Sequence, residues 1–201
     1  MNEDFRFETL QWRSVMRSDI EVPSDSPLRV ILDCSFTANE REPGRTPSDR
    51  SALVAGVTQA REGDGVNEFT LIDVSSDRWK GIALADAALD FCLKLGVKDL
   101  QVERIPGTEL LKDTLALRAK ERGMEPLTVR LFNPCVIKNA KNSRIMRLQT
   151  LFNAKPPAIR IRYGTFVEML MEEVEDFVPC VGNRGRQINI LDACALCAGF
   201  R

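Results

Sequence analysis

Apolar and polar positions change rhythm along the chain, and the rhythm predicts the elements. Residues 29–33 are an apolar run that closes on Asp33, the mark of a buried strand. Residues 51–57 and 69–74 repeat that character, which predicts two more strands. A polar loop rich in Pro and Gly, residues 39–48, separates the first strand from the second. The period then lengthens. Ile82, Ala85, Leu89 and Cys92 fall on one helical stripe, and Gly96 is placed to end it. Residues 100–103 form a short strand ending on Glu103. A helix from about Thr108 follows, with Leu111, Leu115 and Ala119 inward and Gly123 closing it. Residues 127–131 read as a strand, 142–152 as a basic helix with Ile145, Leu148 and Phe152 inward, and 158–162 as a strand. Residues 166–174 and 190–198 read as helices, the last rich in small side chains.

Three strands joined by loops suggest an antiparallel meander, and the alternating strands and helices after them suggest parallel pairing. The expected fold is α/β: a ribonuclease-H-like mixed sheet of five strands in the order 3-2-1-4-5, strand 2 antiparallel, with helices on both faces. Residues 1–27, with one short helix near 7–16 and a turn-rich 23–27, read as a tail or linker, and residues 28–201 as the domain. Residues 1–21 are charged and mixed, unlike a secretory signal. No apolar run approaches the ~20 residues that span a bilayer, so no membrane partner is expected.

Composition narrows the chemistry. The net charge is −1, with hydrophobic residues at 44% and charged residues at 28%, as in ordinary globular domains. There is no histidine. That removes Ser-His and Cys-His nucleophiles, His bases and His zinc sites. The six cysteines lie mostly in apolar stretches and suit buried, reduced thiols. Cys194 and Cys197 look like half a zinc knuckle, but no second pair or histidine completes it. Asp73 and Asp77 read as loop and cap residues, and Trp79 as a core anchor.

In the expected sheet the first and fourth strands are neighbours, so Asp33 and Glu103 would lie side by side on one edge. Asp192, near the start of the last helix, would pack over that edge. Three converging carboxylates repel one another unless a cation lies between them, and hard Mg²⁺ or Mn²⁺ suits oxygen donors. Two such ions can clamp a phosphodiester, chemistry that needs no histidine. Each acid also has a plainer reading. Asp33 can start a turn, Glu103 can be a strand-end charge, and Asp192 can be a first-turn acid with Asn189 as N-cap.

At these residues the chain resembles the C-terminal nuclease domain of the large terminase subunit of tailed phages and herpesviruses. The resemblance runs from Leu28 to Phe200 on four short motifs. These are Asp33 with Asp49-Arg50-Ser51-Ala52 after it; Val102-Glu103 with Gly107 and Leu110; the basic stretch 138–147 running into Leu148-Gln149 and Phe152; and Leu191-Asp192-Ala193. It implies a weakly sequence-specific, metal-dependent endonuclease that cuts concatemeric double-stranded DNA during packaging, in the cytoplasm of an infected host cell. Asp33, Glu103 and Asp192 would be the catalytic metal ligands, with Asp49 an accessory carboxylate. The implied partners are DNA, a terminase ATPase domain, a portal protein and a small terminase subunit. The family's acidic pair near the last motif falls here on Ile188 and Asn189, which leaves the second of the two implied ions open. No phosphate-binding loop of an ATPase occurs in the chain.

Lys138, Lys141, Arg144 and Arg147 recur every three residues and are expected to form a basic face opposite Ile145, Leu148 and Phe152, able to meet phosphates without reading sequence. Arg184 and Arg186 are expected on a loop near the metals. Arg160 and Arg162 alternate with Ile159 and Ile161, and either extend a DNA track or face solvent. Two other readings stand beside the terminase one: a junction-resolvase type of ribonuclease-H-like nuclease, and a non-catalytic DNA-binding or motor-docking module.

Overall fold

Strand alternation divides the core into two layers. In a computed structural model of the chain, residues 15–18, 20, 27–35, 50–61, 67–133, 140–177 and 188–200 are described. The strands are β1 (Met16–Arg17), β2 (Arg29–Asp33), β3 (Ser51–Ala60), β4 (Asn67–Asp77), β5 (Asp99–Glu103), β6 (Thr128–Phe132) and β7 (Ile159–Arg162). The helices are α1 (Ile82–Lys94), α2 (Thr108–Glu121), α3 (Ala140–Asn153), α4 (Val167–Asp176) and α5 (Asn189–Cys197). Ile31, Val54, Leu71, Ile159 and Ile161 point to one side and pack with α3, α4 and α5. Val30, Leu32, Leu53 and Ile72 point to the other and pack with α1 and α2. This is the period-two alternation of a sheet covered on both faces.

Among the described residues, the sheet has seven strands in the order β1-β7-β4-β3-β2-β5-β6. Its inner run β4-β3-β2-β5-β6 is the expected 3-2-1-4-5, with β3 antiparallel to β2 and β4 and β5 parallel to β2 and β6. Two edge strands exceed the expectation. β7 pairs parallel with β4, and β1 pairs parallel with β7. The sheet therefore takes in Met16 and Arg17 from the stretch read as a tail, and Val15 lies in the core at 1% exposure. A two-residue strand carries no periodicity, so only its pairing reveals it.

Local signals behave as the sequence implies. Gly96 follows α1 with φ +66°, and Val97 N–H closes back on Cys92 O at 2.9 Å. Helices α1 and α2 are tied by Arg118, which donates from Nε and Nη2 to both oxygens of Asp86 at 2.9 and 3.0 Å. β4 is longer than expected. It contains both Asp73 and Asp77, so these are strand residues rather than loop residues. Asp73 is held by Lys94 Nζ at 2.7 Å. Trp79 is partly buried against the α1 side of the core, as expected.

Helix α5 is the centre of the molecule. All nine of its residues are buried, and it packs on β3 and β2. Ala193, Cys194, Ala195 and Cys197 give it the slim profile that close packing on a sheet needs. Cys34, Cys92, Cys194 and Cys197 are free and buried. Burial pushes the Cys92 thiol up to about 12, so these thiols behave as small apolar side chains. Among the described residues, no helix is long and apolar enough to cross a membrane.

Candidate metal centre

Parallel pairing of β2 and β5 sets Leu32 beside Val102, so the next residues, Asp33 and Glu103, end adjacent strands on the same edge. Helix α5 crosses the sheet there and brings Asp192 from its first turn. One carboxylate oxygen from each of Asp33, Glu103 and Asp192 lies within 4.8 Å of the other two. Three stretches of chain far apart in sequence thus meet at one acidic point.

Among the described residues, two cations share it. Arg144 of α3 donates from Nε to Asp192 Oδ1 at 2.9 Å and from Nη2 to Asp192 Oδ2 at 2.8 Å. Its Nη1 lies 3.6 Å from Glu103 Oε1. Lys141 Nζ donates to Asn189 Oδ1 at 2.6 Å and to Asp33 Oδ2 at 3.3 Å, and lies 3.6 Å from Asp192 Oδ2. Asn189 donates from Nδ2 to the Arg50 carbonyl. Three carboxylates against two cations leave one negative charge when all are ionised.

The site is dry. Asp33 and Asp192 are buried at 7% and 1% exposure, and Arg144 at 5%. Burial pushes the Asp33 carboxyl above its ordinary range and Asp192 repels it further, while Lys141 opposes the rise. Burial likewise raises Glu103, against the pull of Arg144. Burial works against the charge on Lys141, but the attraction of Asp33 and Asp192 outweighs it, so the ammonium is held above its usual value.

The donor set fits a hard divalent ion. It offers only carboxylate oxygens, it keeps an excess negative charge, and it contains no thiol or imidazole. Oxygens bound to one Mg²⁺ lie about 3–4 Å apart, which the cluster can reach by small side-chain movements. Among the described residues, this is the cluster whose spacing suits an ion.

The basic residues divide differently from expectation. Lys141 and Arg144 turn toward the three carboxylates. They lie on the side of Ile145 and Leu148 because positions three, four and seven apart share one helical face; Arg144 is buried there, and Lys141 sits at its half-exposed edge. Arg144 is thereby spent on Asp192 and Glu103, and Lys141 on Asp33 and Asn189. Arg147 is exposed, beside a hollow lined by Ser143, Met146, Thr150 and Asn153. Arg160 and Arg162 are exposed, and Arg160 Nε pairs with Glu68 at 2.9 Å. Asp49, Lys138, Arg184, Arg186 and the loop 39–48 lie outside the described residues.

Asn189 is not the N-cap of α5. Ile188 holds that position with no side-chain cap, and the Asn189 amide is engaged by Lys141 and Arg50. The capping acceptor is a residue the sequence reading passed over within an acidic stretch. Glu173 of α4, buried at 6% exposure, accepts the Leu191 N–H through Oε2 at 3.0 Å. Burial raises its carboxyl to about 8, against the lowering pull of the Leu191 N–H and of Lys141. Two signals pointed to it. Glu173 flanks the apolar stripe Val167, Leu170, Val174, and α5 opens on Ile188 with no capping side chain of its own.

No protein-family model matches the sequence, and no curated protein matches it. Solved structures do. The nuclease domain of the large terminase subunit gp2 of bacterial virus Sf6 superposes with a TM-score of 0.51 at 13% identity, covering 85% of this chain and 87% of that one. A lysine-to-alanine mutant of that domain, with manganese, gives a TM-score of 0.52 at 14% identity over the same shares. The fowlpox virus Holliday junction resolvase aligns at 8% identity over 83% of this chain and 93% of that one, with a TM-score of 0.39 that is too low to carry weight. The chain has the ribonuclease-H-like fold, and the nuclease domain of a viral large terminase subunit is among the solved structures that share it.

Proposed function

We propose that this chain is a Mg²⁺- or Mn²⁺-dependent endonuclease that hydrolyses the backbone of double-stranded DNA with little sequence preference. The observation that carries the reading is the meeting of Asp33, Glu103 and Asp192 oxygens within 4.8 Å at one sheet edge. The shared fold of the Sf6 terminase nuclease domain supports it. Asp33, Glu103 and Asp192 hold the metal, with Asp49 an accessory carboxylate by its place in the sequence. Metal bound there supplies Lewis acidity for phosphodiester hydrolysis, acidifying water and neutralising charge on the leaving oxygen. The neutral Asn189 beside Lys141 makes the second of two ions the more weakly held. Lys141, 35% exposed, is the cluster's solvent-facing cation and offsets charge between Asp33 and Asp192. Arg144 fixes the Asp192 carboxylate plane through its paired hydrogen bonds. Arg147 and, on sequence grounds, Lys138, Arg184 and Arg186 contact backbone phosphates.

The finer reading is the cutting of concatemeric DNA during viral genome packaging, in the cytoplasm of an infected host. The chain would work there with an ATPase domain, a portal protein and a small terminase subunit. Its support is the four-motif resemblance together with the shared fold. The test is nicking of supercoiled plasmid. The native protein is expected to nick in Mn²⁺ or Mg²⁺, and Asp33→Asn to lose the activity while staying folded. Plasmid left intact by the native protein in both metals across a range of pH would overturn the reading.

A second reading has an observation of its own. Both oxygens of Asp192 are already bonded to Arg144, and Asp33 already meets Lys141. A cluster neutralised by its own side chains suits a non-catalytic DNA-binding or docking module. That reading expects metal-independent DNA retention and no cutting.

A further inference from the structure

The first N–H groups of a helix have no partner within it. At α5 neither the N-cap residue nor the first turn supplies one, since Ile188 has no polar side chain and Asn189 is turned to Lys141 and Arg50. The acceptor crosses from the neighbouring helix. Glu173 Oε2 takes the Leu191 N–H at 3.0 Å. The next residue is Asp192. One peptide unit therefore separates the atom that Glu173 grips from a carboxylate of the cluster.

Such a placement has a cost that asks for a reason. A buried carboxyl loses its hydration, and a Gln or Ser would cap a helix at less expense. What the side chain adds is length: its carboxyl oxygen reaches across from α4 to the start of α5, as a Gln amide oxygen also would. It is also close enough to Lys141 and Asp33 for their charges to act on it. The small residues of α5 make few directional contacts with the sheet, and the bond to Glu173 adds one at its start.

We infer that Glu173 is a positioning residue for the carboxylate cluster: by capping α5 from α4, it sets where Asp192 stands relative to Asp33 and Glu103. The inference rests on the nuclease reading in taking Asp192 as a metal ligand. Groups that orient metal ligands typically govern affinity by about 10–100-fold.

The test compares Mn²⁺ dissociation constants, by calorimetric titration, for the native chain, Glu173→Gln, Glu173→Met and Glu173→Asp. Gln keeps an acceptor, Met keeps the shape without one, and Asp is too short to reach Leu191. Gln is expected to stay within about threefold of native, and Met and Asp to weaken binding at least about tenfold. A merely structural role would lower the melting temperature of the Met and Asp variants and leave their Mn²⁺ affinity when folded unchanged. That result overturns the inference. If Met does not fold, Asp carries the comparison. If the native chain binds no Mn²⁺, the nuclease reading fails instead. Amide exchange at Leu191 then decides: protection lost in Met and Asp but kept in Gln upholds the cap, and protection unchanged in all three overturns it.

Discussion

At the scale of single residues, burial decides the protonation of acids that water does not reach. Glu173 is the clearest case, its carboxyl raised from 4.5 to about 8 by burial and so kept neutral at ordinary pH. A group whose folded pKa is raised contributes its full share of stability below the unfolded value and loses it as pH climbs through the folded one. The window for Glu173 therefore runs from about 4.5 to about 8. Within it the native chain loses stability against Glu173→Gln at up to about 1.4 kcal/mol per pH unit. Asp33 and Glu103 titrate in both proteins, so the difference reports Glu173 together with its repulsion by Asp33. Urea melts of the two proteins from about pH 5 to about pH 9 check this. The gap is expected to widen in favour of Gln as pH rises, and a gap that stays flat shows that the carboxyl titrates as if exposed.

At the scale of elements, the strands that build the site were legible. An apolar run ending on Asp33 and a short strand pattern ending on Glu103 marked β2 and β5, and the glycine after α1 marked that helix's end. The inner strand order followed from the alternation of elements. Edge strand β1 was not legible, because two residues have no period and its partner β7 lies far along the chain. The inward turn of Lys141 and Arg144 was legible in spacing but masked by charge. Their positions match the stripe of Ile145 and Leu148, and only the acids opposite make a buried cation tolerable there. Glu173 was hidden because its partner is a backbone N–H on another helix, which no sequence motif records. One element carries a tight constraint of its own. β3 and β4 shift register between Ala55 and Gly56, and a Cβ on Gly56 would stand 2.4 Å from Phe69 Cε2 and 2.9 Å from the Thr70 carbonyl. The ring of Phe69 is fully buried and the carbonyl is backbone, so neither yields easily. Gly56→Ala is expected to cost about 1–3 kcal/mol in urea melts. Mn²⁺ affinity of the folded variant should be unchanged, since Asp33 pairs with Ala52 toward the other end of β3. Undiminished stability would show that Phe69 moves aside.

At the scale of the whole molecule, the cluster exists only when the chain is folded. Its ligands stand at positions 33, 103 and 192, on β2, β5 and α5, and Arg144 reaches them from α3. An ion that binds there binds the folded state alone, so its affinity appears as stability. At a concentration about one hundred times the dissociation constant the gain is about 2.7 kcal/mol. For a chain of this size each kcal/mol raises the melting temperature by about 2–4 °C, so Mn²⁺ should raise it by roughly 5–11 °C. Asp33→Asn should lose most of that rise, because it removes one ligand charge and leaves the cluster with no excess negative charge over Lys141 and Arg144. Thermal melts in Mn²⁺, Mg²⁺ and chelator measure it directly, without DNA and without turnover. A melting temperature indifferent to saturating Mn²⁺ would mean that Lys141 and Arg144 already satisfy the three acids. The ionic network would then hold the fold together in place of a metal, and the endonuclease reading would go with it.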